Sequence, residues 1–197
     1  MLPSEAARRV RTLTGPIGTV DATVCSCVDE VIRAIREGAS LEVRFRQILD
    51  AAVEVAEAER GFLILTDRED ERVAAARSCD REDVSNPAGK VSRTLLRLCH
   101  EGQKAVVVTD ASIDDRLADE PASRSLHMGS SLCVPVIVRW KVVGSLFVVN
   151  RFRSHAFGQR EVEILQGLAG LLGVSLKGEA FEPNLPGPVD ASIFQPA

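Results

Sequence analysis

The chain has 197 residues, of which 45% are hydrophobic, and 24 basic and 28 acidic side chains give it a net charge of −4. Because the two signs are mixed along the chain, no basic stripe of the kind that binds DNA or RNA is evident. No apolar run reaches the roughly 18 residues of a membrane span, and the first residues lack the apolar segment of a secretory signal. We therefore expect a cytoplasmic protein of one domain that contacts neither nucleic acid nor membrane.

The cysteines, five in number, are irregularly spaced. This pattern favours reduced thiols over a disulfide framework, as expected in the cytoplasm. Cys25 and Cys27 are close enough to share a metal, but no second pair of ligands follows at the spacing of a structural zinc site. No metal site is predicted.

The chain begins with residues 1–20, where prolines and glycines break any regular pattern, so we expect a flexible leader. Residues 21–38 place apolar side chains three or four positions apart, which predicts an amphipathic helix that ends at Gly38. Ser40 suits the N-cap of a second helix, whose apolar side continues to about Glu59.

Short strands and one helix follow. Residues 61–66 and 72–77 are predicted to form a first hairpin, the next helix ends at Gly102, and residues 104–108 form a third strand. The polar segment 111–129 is expected to combine a loop with short helical turns. Long loops in compact domains often carry function.

Residues 130–152 contain the longest apolar run, rich in β-branched side chains, and predict two strands joined by a turn. Neither strand has a clearly polar face, so we expect both faces to be covered and the hairpin to be central in its sheet. Trp140 lies in the turn. Because a tight two-residue turn requires positive φ, which Trp disfavours, a wider turn is expected. A helix over 159–177 and a flexible, proline-rich tail over 178–197 complete the chain.

This order of elements predicts an α+β fold with a central antiparallel sheet of five to six strands. The run from about Leu41 to Leu176 resembles a GAF domain, a sensory family of bacterial signalling proteins, and we assign the domain to residues 39–177. The phrases that carry the resemblance are Ile48-Leu49-Asp50-Ala51-Ala52, Ala58-Glu59-Arg60-Gly61-Phe62, Val108-Thr109-Asp110-Ala111, Asp114-Asp115-Arg116, Ser131-Leu132-Cys133-Val134-Pro135, Gly144-Ser145-Leu146 and Asn150-Arg151, followed by Phe157, Glu161 and Leu165.

The resemblance implies that the terminal helices cover one face of the sheet and that a ligand pocket lies on the other face, under the segment 111–129. By the period of two, Ser131 and Cys133 share one face of their strand and are the first candidates to line this pocket. Small core residues are the alternative for both. The further candidates for ligand binding are Thr109, Asp110, Asp115, Arg116, His127 and Asn150, although the aspartates also suit turns and caps.

Known chemistries of the family match this sequence poorly. The pattern of cyclic-nucleotide-binding members is only partly present at Asn150, Arg151, Phe157 and Glu161, and would mostly report an ion pair between the last strand and the following helix. The pair Cys99-His100 is similar to a bilin attachment motif but precedes the third strand, so Cys99 is interpreted as a core residue and His100 as an exposed helix end.

Cysteine chemistry is a further possibility that the family offers. The catalytic phrase of free methionine-R-sulfoxide reductases is not matched at residues 123–127. Cys133 could be oxidised if it were exposed and acidic. A metal held in the pocket by His127 and Cys133 is considered and not predicted, and no cofactor is identified.

The first and last helices have more apolar width than one sheet face needs, and the resemblance implies that they form a homodimer and pass a signal to an output domain. We expect a non-catalytic, small-molecule sensor for a transcriptional regulator or a kinase. The alternative is a ligand-free dimerisation or protein-interaction module whose pocket is filled by Leu117, Leu126 and Met128. A reductase-like enzyme is the third hypothesis.

Overall fold

The computed structural model of the chain describes residues 22–67, 70–117 and 129–177. The expected leader, the expected tail and most of the polar segment, including His127, Leu126 and Met128, lie outside the described residues. The helices are α1 (Ala22–Arg36), α2 (Leu41–Val55), α3 (Arg93–Gly102) and α4 (Gln159–Lys177), and the strands are β1 (Arg60–Asp67), β2 (Asp70–Ser78), β3 (Val106–Val108), β4 (Ser130–Val138) and β5 (Lys141–Asn150).

The five strands form one antiparallel sheet in the order β2-β1-β5-β4-β3. The predicted α+β fold is therefore confirmed, with the β4–β5 hairpin at the middle of the sheet. Gly144 permits this arrangement, because a Cβ atom built there would lie 2.2 Å from the carbonyl oxygen of Ile64 on β1. The close approach of β1 and β5 thus requires glycine at this position.

One side of the sheet, called here the helix face, is covered by α2 and α4, while α1 packs against α2. The even-numbered positions of β4 and β5 turn toward the helices, and the core there is mostly aliphatic, with Phe45 and Phe157 as aromatic members. The buried side chains that join sheet and helices include Ile48, Leu49, Leu132, Val134, Leu146, Val148, Leu165, Leu168 and Leu172.

The opposite side, called the α3 face, is covered by α3 and by the short 3-10 turn Asp115–Leu117. Ser92 caps α3, since its hydroxyl accepts a hydrogen bond from the backbone nitrogen of Leu95 at 3.2 Å. Buried side chains here are Phe62, Ile64, Leu95, Leu96, Cys99, Leu117, Cys133 and Phe147. The two aromatic rings, Phe62 and Phe147, lie 6.1 Å apart in a tilted arrangement.

Arg44 joins the beginning of α2 to the last turn of α4. Its side chain is buried, its Nε donates to the carbonyl oxygen of Ala39 at 2.6 Å, and its NH1 donates to the carbonyl oxygen of Ser175 at 3.4 Å. A cation near the carbonyl end of a helix interacts favourably with the helix dipole. The contact therefore fastens the C-terminal end of α4 to the α1–α2 connection.

The turn of the central hairpin is narrower than expected. Val138 pairs with Lys141, so the turn contains only Arg139 and Trp140, with φ values of 50° and 67°. Two consecutive left-handed residues match the twist of the flanking strands. The wider turn predicted from Trp140 is wrong, because the indole projects into solvent, 91% exposed, and only the local backbone preference opposes the conformation.

Helix α2 ends earlier than the predicted Glu59. Glu57 adopts a left-handed conformation with φ of 47°, and the backbone nitrogens of Glu57 and Ala58 donate to the carbonyls of Glu54 and Val53. This is the Schellman ending that glycine usually provides. Helix α3 ends at Gly102 as predicted, and Gln103 directly after it takes the left-handed conformation.

Among residues 22–67, 70–117 and 129–177, no helix combines the length and apolarity that crossing a bilayer requires.

Candidate functional site

Ser131 and Cys133 lie on the α3 face of β4, and both are fully buried. The Ser131 hydroxyl has no hydrogen-bond partner in the part of the chain that the structure describes. Its cross-strand neighbours are Val108 on β3 and Val149 on β5, which offer no side-chain hydrogen bond. An unpaired buried hydroxyl is destabilising by roughly 1–3 kcal/mol, so Ser131 is poorly explained as a packing residue.

The polar loop after β3 uses its charged side chains internally. The Asp110 carboxylate accepts hydrogen bonds from the nitrogen and hydroxyl of Ser112 and from the Ser154 hydroxyl, and the Ser112 bonds lower the pKa of Asp110. Arg116 donates to both oxygens of Asp114 and lowers the pKa of that carboxyl. These bonds are those of a structured turn.

The remaining loop candidates are exposed. Arg116 also donates to the carbonyl oxygen of Val107 at 2.8 Å, which anchors the loop to β3. Thr109 accepts a backbone hydrogen bond from His155 at 2.6 Å, and Asp115 begins the 3-10 turn. Leu117, at the end of that turn, is buried in the core of the α3 face. In this described portion the loop rests on the sheet.

Asn150 is separated from Ser131 and Cys133, because it turns toward the helix face. Its Nδ2 donates to the carbonyl oxygen of Glu57 at 3.2 Å. It borders a cavity of about 450 Å³ that also includes Glu54, Glu59 and Arg81. The candidates predicted from sequence thus fall on two sides of the sheet.

The ion pair expected after the last strand has a different partner. Arg151 donates from Nε to Glu59 Oε1 at 2.5 Å, which joins the end of β5 to the residue before β1. Burial raises the pKa of the Glu59 carboxyl, but the hydrogen bonds from Arg151 outweigh it, so the net pKa is lowered. Glu161 instead accepts from the backbone nitrogen of Gly158 at 2.8 Å and caps α4.

His100 is the functional candidate that sequence reasoning missed. Its side chain is 15% exposed and bridges two groups, so the expectation of an exposed helix end is wrong. Nδ1 lies 3.2 Å from Glu71 Oε1, and Nε2 lies 2.6 Å from the hydroxyl oxygen of Ser145. Because a carboxylate only accepts, Nδ1 donates to Glu71, and in the tautomer that carries its proton on Nδ1 alone, Nε2 accepts from the Ser145 hydroxyl.

Ser145 extends this chain of hydrogen bonds to two buried thiols. Cys99 on α3 and Cys133 on β4 lie in the same buried cluster of the α3 face, and hydrogen bonding to Ser145 and to each other is among the causes of their pKa shifts. Burial raises the pKa of Cys133 well above its usual range, whereas the hydrogen bond from Cys133 lowers the pKa of Cys99. Cys133 therefore does not meet the condition of an exposed, acidic thiol. We call these five side chains, Glu71, His100, Ser145, Cys99 and Cys133, the thiol network.

A surface groove leads to the outer end of the thiol network. It has a volume of about 390 Å³, and its lining residues are Glu71, Arg93, Thr94, Arg97, His100 and Glu101. His100 separates the groove from Ser145 and the thiols. Across the described residues, no group of three or more His, Cys, Asp or Glu side chains could hold a metal ion.

This network can be recognised in the sequence only when the pairing register of β4 and β5 is known. Cys133 pairs with Phe147, so Ser145 is its diagonal neighbour on the same face. The spacing of residues predicts α3 but not its orientation over β5, so Cys99 and His100 could not be joined to Ser145.

Comparison with known proteins gives one family. A sequence model described as "GAF domain" matches residues 38–177. No curated protein matches the chain.

Many solved structures share the fold. The GAF domain of a phosphoenolpyruvate-protein phosphotransferase from Acinetobacter has 18% identity and a TM-score of 0.61 over 79% of this chain and 93% of that one. The GAF domain of nlh2 from A. aeolicus, in an inactive state, has 13% identity and a TM-score of 0.60 over 79% and 96%. A GAF domain/HD domain protein from Geobacter sulfurreducens has 18% identity and a TM-score of 0.56 over 73% and 96%. At these identities the likeness establishes the fold alone.

Proposed function

Because this chain belongs to the GAF domain family, whose members are sensory and regulatory domains, we propose that it is a non-catalytic sensor that binds a small polar molecule on the α3 face. Ser131 is the observation that carries this proposal. Its buried hydroxyl lacks a partner within the described residues, and a bound donor or acceptor would satisfy it. The loop residues Thr109, Asp110, Asp115 and Arg116, and His127, are the proposed surroundings of that molecule, and the bonds within the loop hold Asp110 and Arg116 in place.

Asn150 supports the proposal differently. Since it faces the helices and holds the carbonyl of Glu57, we assign it to the connection between the sheet and α2 and not to direct ligand contact. A ligand that shifts β4 would be felt at α4, because Leu132 and Val134 on β4 pack in the same core as Leu165 and Leu168. Signalling then requires that the ligand fits two arrangements of these elements unequally.

Dimerisation through the terminal helices is the second part of the proposal. On α4, Val174 is 58% exposed, Ile164 and Leu171 are half-buried, and space around Gly167 and Gly170 is open. These positions recur three or four apart and form one apolar strip, on which a second copy of the helix could pack closely. The signal would pass through this homodimer to an output domain or partner, such as a transcriptional regulator or a kinase.

We place the protein in the cytoplasm. All five cysteines, Cys25, Cys27, Cys79, Cys99 and Cys133, are free thiols, which suits a reducing compartment.

A ligand-free dimerisation or interaction module is the second candidate, and Leu117 favours it. This side chain is 1% exposed and packs among the buried residues of the α3 face, so the protein's own side chains occupy part of the space that a ligand would need. In that case Ser131 would be a residual packing defect. A sulfoxide reductase activity has no comparable support.

Native mass spectrometry of freshly purified protein, compared with the mass after mild denaturation, tests the proposal. We expect a dimer that carries a small mass excess, which denaturation removes. Ser131→Ala should lose the excess and yet unfold at equal or slightly higher denaturant, because it removes an unpaired oxygen. Ser130→Ala is the control: its hydroxyl donates to the carbonyl of Arg153 at 2.7 Å, so this variant should lose stability and retain the excess.

A dimer without excess, together with a Ser131→Ala variant that gains stability, would support the ligand-free module. The dimer surface is tested separately with Val174→Glu, which should yield monomer. Ile113→Glu serves as its control, because Ile113 is 77% exposed on the opposite loop.

A further inference from the structure

We propose that Cys99 and Cys133 form a peroxide-oxidised dithiol site, in which a disulfide joins α3 to β4 and His100, held by Glu71, relays protons through Ser145. The inference goes beyond ligand sensing and depends on the proposed signalling route only for its output. It rests on two contacts, Glu71 with His100 and His100 with Ser145, on the burial of both thiols in one cluster of the α3 face, and on the register that makes Ser145 the diagonal neighbour of Cys133.

The thiol network places polar groups in the apolar core of the α3 face. Ser145, Cys99 and Cys133 are fully buried among Phe62, Phe147 and other apolar side chains of the α3 face. A hydroxyl and an imidazole in such surroundings are destabilising unless they are paired, and alanine or valine would fill the same space without polar atoms. Packing therefore gives no reason for a continuous hydrogen-bonded chain from Glu71 to the thiols.

His100 supplies a base for the proton of a thiol. A thiol reacts with an oxidant as its thiolate, so the proton must leave the sulfur for a base. His100 Nε2 is such a base, one hydroxyl group away, and Glu71 at 3.2 Å from Nδ1 stabilises the imidazolium that forms. The same constellation of carboxylate, imidazole and hydroxyl activates nucleophiles in many enzymes. In this protein the Ser145 hydroxyl is fully buried, and the neighbouring thiol is a stronger nucleophile than that hydroxyl.

The burial of the two thiols limits the size of the oxidant. Neither thiol has exposed surface, so a bulky disulfide or an alkylating reagent cannot reach them in the folded protein. Oxidation of these thiols requires an oxidant small enough to enter without an open channel, and the groove beside His100 is the nearest surface opening. Hydrogen peroxide is therefore the oxidant that the burial of the site selects.

The reaction proceeds in two balanced steps. In the first, the Cys99 proton moves through the Ser145 hydroxyl to His100, and the sulfur attacks one peroxide oxygen. An S–O bond forms, the O–O bond breaks, and the leaving hydroxide takes the proton from His100 to become water. In the second, the Cys133 sulfur attacks the Cys99 sulfur, an S–S bond forms, the S–O bond breaks, and the hydroxide leaves with the Cys133 proton. Two thiols are oxidised, one peroxide is reduced, and two waters result.

Cys99 is assigned as the attacking thiol because its pKa is lowered by the hydrogen bond from Cys133, while burial raises the pKa of Cys133. The disulfide would pin α3 to the strand whose other face, through Leu132 and Val134, packs in one core with α4. Oxidation would thereby reach the helix that the proposed function assigns to signalling.

The test uses the full chain with Cys25→Ser, Cys27→Ala and Cys79→Ser, so that only the two network cysteines remain. After treatment with hydrogen peroxide, the protein is denatured, alkylated with N-ethylmaleimide and analysed by mass spectrometry. We expect loss of both alkylations, a peptide that joins Cys99 to Cys133, and recovery with dithiothreitol. In the further variant Cys133→Ser, dimedone should trap one sulfenic acid at Cys99, whereas Cys99→Ser should give none at Cys133.

His100→Gln tests the positioning role of the imidazole. Glutamine can still hydrogen-bond to Ser145, so the unfolding midpoint should change little, whereas oxidation should slow by about tenfold or more at neutral pH. The pH dependence of the oxidation rate should also change, which a merely structural role for His100 would not produce.

Two outcomes would overturn the inference. One is that both cysteines remain fully alkylated at a peroxide dose that oxidises the exposed Cys25 and Cys79 of the wild-type chain. The other is that oxidation leaves Cys99 as sulfinic acid without a disulfide, which excludes Cys133 as its partner.

Amide hydrogen exchange of α4, before and after oxidation, separates this inference from the proposed function. Slower or faster exchange supports both. A disulfide that forms without any change in α4 supports the dithiol site and refutes the signalling route. A ligand detected in a chain whose thiols stay reduced supports the proposed ligand sensing and refutes the dithiol site.

Discussion

The two faces of the sheet are built from different kinds of side chain. The helix face joins the sheet to α2 and α4 mainly through leucine, isoleucine, valine and alanine, with Phe45 and Phe157 in the same core, and each contact adds to stability in proportion to buried area. The α3 face mixes similar apolar side chains with Ser131, Ser145 and two thiols, all fully buried. Polar groups in such a core are destabilising unless paired. The helix face is explained by folding, and the α3 face is where function has to be sought.

The largest effect that would sharpen this comparison comes from neighbouring residues on β4. Leu132→Ala removes a fully buried side chain of the helix face and should lower the free energy of unfolding by about 2–5 kcal/mol. Cys133→Ala, one residue on, should lower it by only about 1 kcal/mol, because a single sulfur is removed. Urea denaturation measures both. Equal losses would show that the two faces contribute alike.

Gly144 provides the next effect, since it affects both faces through the spacing of β1 and β5. Gly144→Ala places a Cβ 2.2 Å from the carbonyl oxygen of Ile64, so the strands must separate. We expect a loss of about 1–3 kcal/mol in the free energy of unfolding, measured in urea. Gly89→Ala is the control, because its nearest neighbour would be 3.8 Å away, and it should stay within about 0.5 kcal/mol of wild type.

A smaller effect concerns the rim of the helix face, where Glu59 and Arg151 pair. The folded pKa of Glu59 lies below its ordinary value of 4.5. Its contribution is therefore fully present above pH 4.5 and is lost as the pH falls through the lower, folded pKa. With the side chain 22% exposed, we expect at most about 1 kcal/mol.

Thermal or urea unfolding between pH 6 and pH 3 measures this contribution. Glu59→Gln should be less stable than wild type at pH 6 and should lose less stability on acidification. Arg151→Gln should flatten the same part of the profile, and the double variant should add nothing further. A profile in Glu59→Gln as steep as in wild type would contradict the assignment.

The smallest effect belongs to the hairpin turn, which lies outside both faces. Trp140→Gly removes the backbone strain of a left-handed non-glycine residue but increases the conformational entropy of the unfolded chain. The free energy of unfolding should therefore rise by between 0 and about 1 kcal/mol. The urea midpoint is the measurement. A clear loss of stability would mean that the indole, exposed as it is, contributes to the fold.

These details also show how far the sequence predicts the molecule. The period of two was sufficient to place Ser131 and Cys133 on one face, and the lack of a polar face on either strand was sufficient to place the β4–β5 hairpin at the centre. Helix ends were predicted at Gly38 correctly, where glycine takes the left-handed position. The end of α3 at Gly102 was also predicted correctly. The end of α2 was missed, because Glu57 takes there the left-handed conformation that glycine usually takes.

The candidate site was harder to predict for a related reason. Alternation along a strand fixes which residues share a face, but not which helix covers that face or in which orientation. His100 therefore looked like the exposed end of a helix, and its contact with Ser145, 45 positions further along the chain, depends on tertiary packing. Asn150 was grouped with Ser131 by its place in a family phrase, although the pleat directs it to the helix face.

Arg44 gives the described chain a mechanical property. Through its hydrogen bonds to Ala39 and Ser175, it couples the last turn of α4 to the α1–α2 connection, beside the direct packing of α4 on β4. A displacement of that last turn would therefore be transmitted along two routes, one into the sheet and one into the beginning of α2.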